Sequence, residues 1–153
     1  CLTSITSEYK NEVGLIYAAH VLEHFPLKPF PFQPKTYFDV LSDWYGALKE
    51  GGVLRISVPD LEASFEHFME TKDFESIRAF IYGGQKYDYD FHYHGWTMNT
   101  LIKDLKKVGF KTVRSYNWRE TDHYYVDDYS QAYLPHMDKE NGKLMSLNVE
   151  ATK

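Results

Sequence analysis

Gly14-Leu15-Ile16-Tyr17-Ala18-Ala19-His20-Val21-Leu22-Glu23-His24-Phe25 and Leu48-Lys49-Glu50-Gly51-Gly52-Val53-Leu54-Arg55-Ile56-Ser57-Val58-Pro59-Asp60 decide how this chain reads. Each joins a short apolar run to a polar turn. The run Val13–Ala19 has the unbroken apolar character of a strand covered on both faces of a parallel sheet. Residues 53–58 repeat that character, and Pro59-Asp60 stops it. Between the two runs Tyr37, Leu41, Trp44 and Leu48 recur at helical spacing, and Phe38, Val40 and Tyr45 widen the stripe. The spacing predicts a helix over 35–49, ended by Gly51-Gly52.

Working outward, residues 20–25 read as a single helical turn. Pro26, Pro29, Pro31 and Pro34 mark a loop in which no long helix persists. Apolar spacing predicts helices over 61–70 and 74–82. A third is capped by Thr97, buries Met98, Leu101, Ile102, Leu105 and Val108, and closes at Gly109. Residues 111–118 and 144–151 read as strands flanking a Tyr-rich insertion, 123–136. Strands alternating with helices predict an α/β fold with a parallel sheet. The last two strands lack a helix between them, which predicts an antiparallel edge hairpin, so that the parallel sheet carries an antiparallel strand at its edge.

The 153 residues, 43% hydrophobic and 25% charged, fit one soluble domain with a real core. A net charge of −5 argues against general nucleic-acid binding or an anionic membrane surface. No apolar run reaches the roughly 18–20 residues of a membrane span, and no signal-peptide layout is present. The single Cys1 allows no internal disulfide, so the expected compartment is cytoplasmic. A start at Cys rather than Met reads as a fragment, a processed product or an incomplete gene model.

Four segments together carry a resemblance: Val21-Leu22-Glu23-His24, Leu48-Lys49-Glu50-Gly51-Gly52-Val53-Leu54, His94-Gly95-Trp96-Thr97 and Val108-Gly109-Phe110. In this order and spacing the chain resembles class I S-adenosylmethionine-dependent methyltransferases, over their fourth to seventh strands. The resemblance implies a Rossmann-like sheet, S-adenosylmethionine as cofactor, and methyl transfer to O or N of a small-molecule or sugar-like acceptor. Gly14 stands where that family usually has Asp. The Gly-rich cofactor loop and the acidic residue after the second strand are absent, so 1–153 reads as a single partial domain. Its first strand would then have an exposed edge, covered by more of the same protein or by another subunit, as in a homo-oligomer. A non-catalytic module that dimerises or completes a partner is the alternative from a different class.

In open α/β sheets ligands lie beyond the carboxyl ends of the strands. Carried over by position, Ala18, Ala19 and His20 would touch the cofactor. His20 and His94 are candidates for acceptor contact or base, and Asp60 for holding the acceptor. Residues 87–94 alternate rings with polar groups, which predicts an extended wall with Asp88, Asp90, His92 and His94 on one face. His20 and His24 share a face with Glu23 beside them. One reading is an inverted H-x-x-E-H zinc hydrolase, but Pro26 cuts the helix short. A second follows from the resemblance, since some members carry E-x-x-E-H at this turn and bind a divalent ion there. His92 or His94 would be the extra ligand, and His20 in place of Glu disfavours Mg2+. The third gives Glu23 and His24 only local hydrogen bonds. On balance a divalent metal is possible and not expected.

Overall fold

In the computed structural model the description covers residues 4–153; Cys1 lies outside them. The elements are α1 (Thr6–Tyr9), β1 (Val13–Ala19), α2 (Tyr37–Ala47), β2 (Leu48–Pro59), α3 (Leu61–Thr71), α4 (Phe74–Tyr82), α5 (Met98–Val108), β3 (Thr112–Ser115), β4 (Tyr133–Leu134), β5 (Lys143–Leu144) and β6 (Ser146–Thr152). The fold is Rossmann-like α/β. Its main sheet has the order β1-β2-β6-β3, while β4 and β5 form a separate small ladder.

β1 and β2 are parallel, and β6 runs antiparallel to both β2 and β3. Three strands therefore point one way and the last points against them. The last two strands were expected as an antiparallel pair at the sheet edge, and β3 and β6 form that pair. β6 takes the inner position: residues 146–149 and Ala151 are all buried, so side chains on both faces are covered. β3, short and mostly exposed, takes the edge.

Side chains alternate across the pleat. Leu54, Ile56 and Val58 of β2 and Leu147, Val149 and Ala151 of β6 join Val40, Leu41 and Trp44 of α2 and Leu101 and Leu105 of α5 in one core. Thr36 and Asp39 form a capping box that starts α2, and Thr97 and Thr100 do the same for α5. The opposite face carries Arg55, Ser57, Asn148 and Glu150, and residues 116–130 close over it. Arg55 bonds Glu150 and Asp122, Asn148 Nδ2 donates to Ser130 O at 2.8 Å, and Tyr17 Oη donates to Asp128 at 2.6 Å. The insertion is thus a strap across a polar sheet face. Asp128 is spent on Tyr17 and on a local cap, and Asp127 pairs with Lys139.

The helix predicted over 35–49 ends earlier, at Ala47. Leu48 already pairs with Val13, and the next matched pair is Leu15 with Val53, so residues 49–52 form an irregularity at the start of β2. A Cβ at Gly52 would stand 2.9 Å from Val13 O, so this close approach requires glycine. No helix among the described residues is long and apolar enough to cross a membrane.

Candidate active site at the carboxyl ends of the strands

His20 is the first residue past β1 and takes a left-handed backbone, φ 52°. A non-glycine residue in that region is uncommon. Its amide donates to Ser57 O at 2.9 Å, which extends the β1–β2 ladder by one bond into the turn. The chain then winds through a 3-10 turn, Leu22–His24, in which Leu22 and Glu23 are buried.

The His20 side chain is buried as well. Its Nε2 lies 2.8 Å from Ser146 Oγ, and Ser146 Oγ donates to Tyr129 O at 2.6 Å. Ser146 has one hydroxyl proton, so toward His20 its oxygen accepts, and Nε2 carries the hydrogen. The Nδ1 lone pair then faces Glu23 Oε1 at 3.3 Å. Burial, with His92 adding to it, holds the imidazolium down to about 3, so this ring is neutral.

Glu23 is fully buried, and neither carboxylate oxygen has a hydrogen-bond partner. The His20 and His92 nitrogens lie within ion-pair distance but off hydrogen-bond geometry. Burial pushes the carboxyl up to about 8. His24 Nδ1 donates to Phe91 O at 3.0 Å, and His92 Nδ1 donates to Phe80 O at 2.9 Å. Burial lowers His92 from its ordinary value. The carbonyl of Glu23 accepts from Tyr93 N at 2.8 Å, tying the connector before α5 to the turn.

His20, Glu23, His24 and His92 line one cavity of about 700 Å3. Exposed Tyr82, Tyr87 and Tyr129, with Arg78 and Lys86, line the rest of its wall. Ala18 and Ala19 lie beside a separate apolar groove of about 270 Å3, shared with Ile16, Tyr17, Val21 and Trp44. β1 pairs with β2 alone, so among the described residues its other edge is free. The side chains at 18 and 19 are small, and the groove runs along them at the end of β1.

Of the three residues expected to meet the acceptor, only His20 lines the cavity. His94 stacks on Tyr37 at 4.7 Å and meets the edge of Trp96 at 4.4 Å. Asp60 caps α3, its Oδ1 accepting from the Glu62 and Ala63 amides. The wall predicted over 87–94 is not extended. Asp90 turns back to accept from Gly84 N and Lys86 N, which closes a loop in place of a strand. His92 and His94 consequently face different neighbours. Ser146 and the Tyr17–Asp128 contact were not anticipated from sequence. Ser146 and Asn148, polar among Met145, Leu147 and Val149, are the signal that marked the strand's polar face.

No family model and no curated protein sequence matches the chain. Solved structures do. A S-adenosylmethionine-dependent methyltransferase from Archaeoglobus fulgidus superposes with TM-score 0.52 at 15% identity, over 97% of this chain and 63% of that one. A S-adenosylmethionine-dependent methyltransferase from Thermotoga maritima gives 0.51 at 14%, over 94% and 57%. A protein from Bordetella parapertussis, described as a possible exported protein, gives 0.52 at 12%, over 99% and 42%. The chain thus spans less than two thirds of each of these structures. Its fold is that of class I S-adenosylmethionine-dependent methyltransferases.

Proposed function

We propose that this chain is the acceptor-side part of a methyltransferase that moves a methyl group from S-adenosylmethionine to an O or N atom of a small polar, sugar-like acceptor. One observation carries this reading: a buried, unpartnered Glu23 sits among His20, His24 and His92 on the wall of a cavity at the carboxyl end of β1. Ligands of open α/β sheets lie at such strand ends.

The backbone of Ala18, Ala19 and His20 would border the cofactor, whose sulfonium supplies an electrophilic methyl group. The protein's share of the work is alignment and exclusion of water. His20, locked to Ser146, sets the turn. The acceptor occupies the 700 Å3 cavity, and its proton leaves toward the cluster of Glu23, His24 and His92. Tyr82, Tyr87 and Tyr129 offer flat faces and hydroxyls suited to a sugar-like acceptor. The free edge of β1 supports a further element of the reading: a strand of the same protein or of a second copy pairs there.

The test is label transfer from methyl-radioactive S-adenosylmethionine to a panel of hydroxyl and amine acceptors. His92→Ala is expected to lose at least about 100-fold in turnover while S-adenosylhomocysteine binding is retained. Equal loss of turnover and cofactor affinity, or no loss, defeats the assignment of the cavity to the acceptor.

A further inference from the structure

We infer that Glu23, His24 and His92 form a site for one divalent transition metal of the zinc class, open toward the acceptor cavity. Each offers one ligand atom, and these atoms all lie within 4.8 Å of one another. With metal–ligand bonds of roughly 2.0–2.2 Å in a tetrahedral shell, two ligand atoms stand roughly 3.4 Å apart. A separation near the 4.8 Å bound therefore closes by about 1 Å, which side-chain rotation supplies.

Two further observations point to an ion. Each imidazole donates its Nδ1–H to a main-chain carbonyl, His24 to Phe91 O and His92 to Phe80 O. That fixes both tautomers with a bare Nε2, and His92 Nε2 stands 3.9 Å from the Glu23 carboxylate. Holding the remote ring nitrogen on a carbonyl is how proteins orient metal-binding histidines. Independently, both oxygens of Glu23 are buried with no hydrogen-bond partner. A carboxylate in that position costs several kcal/mol unless something neutralises it.

The donor set chooses the class of metal. Two imidazoles and one carboxylate suit zinc or another imidazole-binding transition ion, whereas Mg2+ prefers an all-oxygen shell. Three protein ligands leave a fourth position, and the residues that supply them line the cavity. His20 is outside the group whose ligand atoms come together; its Nε2 is bonded to Ser146, and its Nδ1 faces the Glu23 carboxylate at 3.3 Å. The ion would also join the turn after β1 to the connector before α5. The sequence reading held a divalent metal at His20, Glu23, His24 and His92 possible and not expected; Glu23, His24 and His92 of that set are the ones whose ligand atoms come together.

The inference rests beside the acceptor reading above: with one Glu23 oxygen and both Nε2 atoms on the ion, the second Glu23 oxygen remains to take the acceptor's proton, and the test of the ion needs no acceptor. Chelator-stripped, tag-free protein is titrated with ZnCl2 and, separately, CoCl2, followed by calorimetry and visible absorption. The expected result is one equivalent of zinc, Co2+ bands of low-coordinate geometry, a higher melting temperature with zinc, and no competition from excess MgCl2. His24→Gln and His92→Ala, checked for folding by circular dichroism, should each lose at least tenfold in zinc affinity, and His94→Ala should lose nothing. Sub-stoichiometric zinc, or unchanged affinity in both ligand variants, overturns the inference. S-adenosylhomocysteine affinity on the same samples separates the two readings, since its loss with zinc binding intact defeats only the methyl-transfer one.

Discussion

His20 Nε2 and Ser146 Oγ lie 2.8 Å apart, joining the turn after the first strand to the first residue of the last strand. The same serine donates to Tyr129 O, so one hydroxyl holds the turn, β6 and the insertion together. Ser146→Ala leaves a buried ring N–H unpaired, which costs about 1–3 kcal/mol. Urea denaturation should show that loss, and amide exchange should quicken around Tyr129. An unchanged midpoint would mean the contact carries no stability.

Asp60 was expected at the acceptor, and its carboxylate caps α3. Asp60→Ala should therefore cost about 1 kcal/mol, as N-cap losses do. Methyl transfer in the surviving folded fraction should stay within about twofold of the parent, a change below roughly 0.4 kcal/mol. A large fall in turnover with the melting temperature unchanged would return Asp60 to the acceptor.

Several elements were legible because their physics is local. The buried runs at Val13–Ala19 and 53–58, the stripe on α2 and the Thr97 cap all follow from spacing within one element. The strand position of β6 was not local: it depends on which surfaces cover Ser146 and Asn148 once the insertion has folded over the sheet. The cavity was half legible. His20, Glu23 and His24 are neighbours in sequence, whereas His92 arrives only because Asp90 curls the connector. Alternation over 87–94 suggested a strand, and a carboxylate capturing two backbone amides prevented one.

Tyr17 reaches across the polar face of the sheet to Asp128. Burial, with Asp128 beside it, raises the Tyr17 hydroxyl above its ordinary value. Tyr17→Phe removes a hydrogen bond to a charged group, worth about 1.5–3 kcal/mol. The loss should appear as a lower melting temperature and as faster proteolysis within residues 121–131, while α2 and α5 stay protected from amide exchange. Uniform loss of protection would show that the strap and the core unfold as one unit.

Stability of the metal-free protein should depend on Glu23. Its folded-state value of about 8 is above the ordinary 4.5, so the folded state holds this proton more tightly than the unfolded chain. The stabilisation is complete below about 4.5, declines as pH rises through about 8, and is flat beyond. His20, lowered to about 3 from 6.5, acts oppositely: its contribution is complete above 6.5 and is lost as pH falls toward 3. In chelator, Glu23→Gln should flatten the decline between pH 5 and about 8 and leave the acid limb in place. The check is urea denaturation of both proteins across that range, and parallel curves would contradict the assignment.

The central claim is that the end of β1 borders the cofactor. Equilibrium binding of S-adenosylhomocysteine to the full-length protein, parent against Ala19→Leu, tests it most directly. Tight binding by the parent, and at least a tenfold loss in a variant that melts at the same temperature, is the predicted result. Equal affinities would place the cofactor elsewhere, and no binding by the parent would remove methyl transfer from this fold altogether.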